Sequence, residues 1–159
     1  MSILSLELQE KIEKWTKKYP PEQRQSAIIP ALLLAQDENN GSLSNEFIEA
    51  IADYLNMPAI AAYEVAAFYS MYELKPVGKH KICVCTNISC MLAGSEELVA
   101  HLEKKLGIKM GETTVDGKFT LKEVECLAAC KDAPMFQIGK TYYEKLSPEK
   151  VDQILDSLE

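Results

Sequence analysis

Apolar residues recur at helical spacing through the first half of the chain, then give way to short alternating runs. Leu8, Ile12, Trp15 and Tyr19 fall on one face of a predicted helix, with Glu7, Glu10, Lys11, Glu13, Lys14 and Lys17 between them. Pro20-Pro21 stops that helix. A second is predicted from Glu22 to Asp37, bent at Pro30, because proline removes one backbone N–H. Asn39-Asn40-Gly41 ends it. Ser44 reads as the N-cap of a third helix through Leu55, and Pro58 opens a fourth through about Tyr69. Four short helices of this kind make a small bundle.

Lys75-Pro76-Val77-Gly78 reads as a linker, placing a domain boundary between residues 1–76 and 77–159. Lys81 to Cys85 is a short β-rich run. Ser95 to Leu106 is predicted helical, with Leu98, Leu102 and Leu106 along one face. Asp116-Gly117 is a turn signal, and Phe119 to Glu125 alternates as a half-buried strand does. Met135 to Ile138 and Tyr142-Tyr143 flank Gly139-Lys140-Thr141 as a hairpin. Ser147-Pro148-Glu149 caps a last helix with Val151, Ile154, Leu155 and Leu158 as its apolar face. The predicted class is α+β: a helical bundle followed by a small α/β sandwich.

Composition narrows the function. The chain of 159 residues carries a net charge of −7, which disfavours nucleic acid, since phosphate binding needs a basic face. Residues 1–78 hold a net −5 and residues 79–159 a net −2. The N-terminus lacks a basic region followed by an apolar core, so no secretory signal is read there. The longest strongly apolar stretch, Ala27 to Ala35, contains Pro30 and is far short of the roughly 20 residues that a span needs, so no direct membrane insertion is expected. The expected compartment is the cytoplasm, where clustered cysteines serve more often as ligands or redox groups than as structural disulfides.

Four of the five cysteines form two close pairs, Cys85 with Cys90 and Cys126 with Cys130. Each pair is predicted to follow a strand. If the two strands are parallel neighbours, both pairs emerge at one sheet edge, where α/β sheets place their ligand sites. Three chemistries compete for such thiols. Structural zinc accepts spacings of this kind. Redox disulfides usually carry Cys-x-x-Cys, which is missing. A two-iron cluster takes two pairs of thiolates, and plant-type ferredoxins share the four-residue gap between Cys85 and Cys90. Spacing favours iron–sulfur and leaves zinc open.

The neighbouring residues carry more. Cys85-Thr-Asn-Ile-Ser-Cys90-Met-Leu-Ala-Gly94, Gly111 to Phe119, Glu125-Cys126-Leu-Ala-Ala-Cys130 and Ala133-Pro134 resemble one family. It is the thioredoxin-like 2Fe-2S subunit (the 24 kDa or E subunit) of respiratory NADH:quinone oxidoreductase, complex I. Ala66-Ala-Phe-Tyr-Ser-Met-Tyr72 looks like the family's signature at the end of its helical region. The resemblance runs from about Pro20 to Leu158. It implies a thioredoxin-like domain holding one 2Fe-2S cluster on Cys85, Cys90, Cys126 and Cys130. It implies NADH and FMN on a partner flavoprotein subunit, further subunits of the complex, a role in electron transfer without catalysis of its own, and a cytoplasmic position peripheral to the inner membrane. It equally allows the corresponding subunit of an NAD-linked hydrogenase or formate dehydrogenase. A free thioredoxin-like ferredoxin is a further alternative, against which the helical first half speaks. The family often has Gly where this chain has Ala128.

Cys83 matches no family ligand. It is expected on the same strand face as Cys85, as a small buried thiol. The loop N–H groups of Thr86 to Ser89 and Leu127 to Lys131 are candidate donors to sulfur, and Lys131 reads as a surface charge. No Gly-x-Gly-x-x-Gly follows a strand, so no nicotinamide site is expected. His80 and His101 are isolated, and His101 is expected exposed. Tyr63, Phe68, Tyr69 and Tyr72 read as bundle core, with a docking surface as the alternative. Glu123 and Glu125 read as a solvated face.

Overall fold

A computed structural model of the chain describes residues 3–158. Met1 and Ser2, part of the stretch read for a signal, and Glu159 lie outside the described residues. The chain divides into two compact units, one ending at Pro76 and one starting at Val77.

The first unit is helical. Helix α1, Leu6–Thr16, starts where the Leu8 N–H donates to Ser5 Oγ at 3.0 Å. Its buried face is Leu8, Ile12 and Thr16. Trp15, on the apolar face of the predicted helix, is exposed and carries the Lys18 ammonium 3.4 Å from its ring centre. A 3₁₀ stretch, Pro21–Ala27, then leads into α2, Ile28–Glu38. The break therefore falls before Ile28, and the bend expected at Pro30 is absent. Pro30 is the third residue of α2, where a backbone N–H has no helical acceptor to lose.

Helix α3, Asn45–Tyr54, begins with the Phe47 N–H on Ser44 Oγ at 3.4 Å. Helix α4, Ala59–Phe68, follows Pro58. Ile12, Leu32, Ile48, Ile51 and Leu55 close the core. Beside it, the Arg24 guanidinium donates to both Glu13 carboxylate oxygens at 2.7 and 3.2 Å, and Tyr54 Oη donates to Glu13 Oε2 at 3.1 Å. The Arg24 hydrogen bond foremost holds the Glu13 carboxyl down at about 2.

The second unit holds a four-stranded sheet in the order β2-β1-β3-β4. Strand β1, His80–Cys85, is parallel to β2, Phe119–Val124, with Cys85 beside Val124. Strand β3, Phe136–Ile138, runs antiparallel to β1 and forms the hairpin with β4, Thr141–Tyr143. Helices α6, Ser95–Leu106, and α7, Pro148–Ser157, supply Leu98, Leu102, Val151 and Leu155 to one cluster with Ile82, Val84, Leu121 and Phe136. Because strand side chains alternate, both helices cover the same sheet face. A short helix α5, Ile88–Leu92, was not expected from the sequence; the segment read as a loop.

Strand β2 does not alternate at its start: Phe119, Thr120 and Leu121 are all buried. Thr120 is covered by its neighbours, since Oγ1 accepts from the Gly78 N–H at 2.6 Å and meets Thr113 Oγ1 at 2.7 Å. A methyl group at Gly78 would lie 2.9 Å from the Phe119 carbonyl carbon, so only glycine fits that approach.

Candidate iron–sulfur site

Cys85 is the last residue of β1, and Cys126 lies two residues past the end of β2. The two strands are parallel neighbours, so their carboxyl ends deliver both cysteine-bearing segments to one edge. The Thr86 N–H donates to Val124 O at 3.2 Å and extends the ladder past Cys85. Cys90 sits within α5, not in a loop, and Cys130 opens a 3₁₀ turn that ends at Asp132.

The pairs differ in exposure. Cys85 and Cys90 are 3% and 1% exposed, packed with Met135 under Leu127, Ala129 and Ala133. Cys126 and Cys130 are exposed. The Cys90 thiol is pushed up to about 11, by burial first, then by its hydrogen bond with Cys85 and the charges of Cys85, Cys130 and Cys126. The other three cysteines thus lie close enough to Cys90 to act on its thiol.

Among the described residues, no three His, Cys, Asp or Glu side chains gather around one metal-ion position. Four thiols in two pairs are a donor set that a two-iron cluster could use.

Ala128 lies between Cys126 and Cys130 with φ of 59°, in the left-handed region that favours glycine. This conformation accompanies a 3.3 Å hydrogen bond from the Ala128 N–H to Cys126 Sγ. It is the expected kind of donor to sulfur. Thr86, also expected to donate to sulfur, has its N–H on Val124 instead.

Cys83 lies on the opposite sheet face from the buried Ile82 and Val84 and is half-buried, less enclosed than expected. Lys131 is exposed. His101 is half-buried, not exposed, because it bonds Asp152 Oδ1 at 2.9 Å across α6 and α7. In the helical unit Tyr72 is buried, its hydroxyl on Ile29 O at 2.9 Å, while Phe68 is 80% exposed. The aromatic group is therefore split between core and surface. Ile88, Met91 and Leu92 around Cys90 are exposed and apolar, a feature the sequence reading missed.

Among the described residues, no helix is long and apolar enough to cross a membrane. A short mixed sheet in which each of two parallel strands is followed by a cysteine pair makes this a small α/β domain with four thiols toward one sheet edge. The family model for thioredoxin-like [2Fe-2S] ferredoxin matches residues 12–159, and the chain belongs to that family. It is 52% identical over 147 residues to the E subunit of NADH-quinone oxidoreductase from Rickettsia conorii, covering 92% of this chain and 88% of that one. It is 45% identical to the second E subunit of NADH-quinone oxidoreductase from Rhizobium meliloti, over 94% of this chain and 88% of that one. The fold is similar to part of an air-oxidised NAD+-reducing [NiFe]-hydrogenase, with a TM-score of 0.70 at 20% identity, covering 80% of this chain and 22% of that one.

Proposed function

We propose that the chain is the E subunit of an NADH:quinone oxidoreductase and carries one electron at a time. Cys85, Cys90, Cys126 and Cys130 would hold a 2Fe-2S cluster, with residues 77–159 as the ferredoxin domain and residues 1–76 as the helical domain. The observation that carries this reading is that the two cysteine pairs follow two strands that are parallel neighbours, so both pairs emerge at one sheet edge. The relatives' names support the setting.

When bound, such a cluster supplies a one-electron acceptor. The chain's own residues do the rest. Cys85 and Cys90 anchor one side in an apolar pocket with Met135, which limits water and strengthens local electrostatics. Cys126 and Cys130 lie at the exposed rim, which shortens the distance to a docked redox partner. The apolar rim of Ile88, Met91 and Leu92 suits contact with a protein partner. That partner would be a flavoprotein subunit holding FMN and oxidising NADH, within a complex peripheral to the inner membrane on its cytoplasmic side.

The test is anaerobic. The purified, cluster-loaded full chain is mixed with the flavoprotein subunit and NADH, and its EPR signal is followed. Reduction by NADH only when the flavoprotein is present is the expected result. A cluster that dithionite reduces but NADH with the flavoprotein never does would refute the subunit role.

A further inference from the structure

We propose that the Ser95 hydroxyl donates a hydrogen bond to a sulfur of the cluster and thereby raises its reduction potential. The inference rests on the cluster reading above. Ser95 is the first residue of α6 and 1% exposed, and among the described residues its Oγ is the one buried side-chain polar atom without a hydrogen-bond partner. Buried polar groups in folded proteins have partners, so this hydroxyl points to an acceptor that the polypeptide does not supply.

Ser95 follows the Cys90-bearing helix closely. Helix α5 ends at Leu92, two residues after Cys90. The Ala93 N–H donates to Cys90 O at 3.1 Å and the Gly94 N–H to Met91 O at 3.0 Å. Gly94 then takes φ of 96°, which L side chains rarely adopt, and α6 starts at the next residue, packed against α5. Ser95 thus follows Cys90 by five residues at the start of the helix in contact with α5, and both residues are closed to solvent. No side chain caps α6, so the hydroxyl is not taken up in helix capping.

A cluster held on Cys90 would bring sulfur as an acceptor to this part of the chain. Reduction adds one electron to the cluster and no proton. An O–H donor that keeps its proton stabilises the more negative reduced form more than the oxidised one. Ser95 is therefore a positioning and tuning residue, not a ligand.

The experiment compares the loaded full-length wild type with Ser95→Ala. Redox titration by EPR reads the potential, and resonance Raman in H2O and D2O reads exchangeable protons on the Fe–S stretches. A wild-type EPR signal establishes the cluster independently of Ser95. The expected result for Ser95→Ala is a potential lower by about 59 mV, a tenfold weaker stabilisation of the reduced form, with a smaller deuterium shift. Unchanged potential and an unchanged deuterium shift overturn the proposal and leave Ser95 bonded to buried water. Should Ser95→Ala fail to load, the isosteric pair Ser95→Thr and Ser95→Val repeats the comparison. Thr keeping the cluster and the deuterium shift that Val loses supports the hydroxyl; equal behaviour of the two overturns it.

Discussion

Thr86 Oγ1 donates to Glu123 Oε1 at 2.7 Å, tying the residue after Cys85 to the end of the strand that leads to Cys126. The Thr86 N–H on Val124 O and the Cys85 thiol on Glu125 O at 3.9 Å join the same two cysteine-bearing segments. Thr86→Val keeps the shape and removes the side-chain bond. Because the pair is exposed, the expected loss is modest, about 0.5 kcal/mol in urea unfolding. Chelators should strip the cluster faster from the variant. An unchanged release rate would remove this pair from any part in holding the two segments together.

Ala128 keeps a backbone conformation that glycine adopts freely. Ala128→Gly retains the N–H on Cys126 Sγ and relieves the left-handed strain. The expected gain is about 1 kcal/mol in thermal or urea unfolding, with the cluster retained. A variant less stable than wild type would contradict the assigned conformation.

The thiols should react in an order set by burial. In the cluster-free chain at neutral pH, iodoacetamide should label Cys126 and Cys130 first and Cys90 last, since Cys90 is buried and its thiol is held protonated. Loading should protect all four proposed ligands and leave the reactivity of Cys83 unchanged. Cys→Ser at 85, 90, 126 or 130 should lose or perturb the cluster, while Cys83→Ser should keep it. Mass spectrometry of the labelled peptides reads the order, and equal cluster loss at Cys83 would overturn the ligand set.

The helical unit should weaken in acid through Glu13. Its folded carboxyl is held at about 2 against an ordinary 4.5, so the stabilisation is present above pH 4.5 and lost as pH falls toward 2. Glu13 is about a third exposed, so the effect is screened and small. Glu13→Gln should flatten the pH dependence of unfolding, followed by circular dichroism, in that window. A slope identical to wild type would show that the Arg24 pair contributes nothing there.

Much of this was legible where the local signal was strong. Ser95 to Leu106 and the Ser147 cap appear as read, because a full apolar stripe and a hydroxyl before proline are local statements. Cys85 at a strand end followed from the β-rich run before it. Helix α5 was not legible, since five residues are too few to display a helical period and no side chain caps it. Pro30 was misread because its effect depends on its position in the helix, which is set by the 3₁₀ stretch before it. The exposure of Trp15 and Phe68 was set by which helix faces meet, a tertiary matter. Placing β3 against β1 is a long-range pairing that no local run announces. The orphan hydroxyl of Ser95 had no sequence signal, since serine at a helix start reads as capping.

The most direct measurement is made on the full chain purified without oxygen. Iron, acid-labile sulfide and zinc are quantified, and EPR spectra are recorded before and after dithionite reduction. The account predicts a coloured protein with two irons and two sulfides per chain, as the family implies, and a signal that appears only on reduction. A colourless protein holding one zinc and no labile sulfide would contradict it.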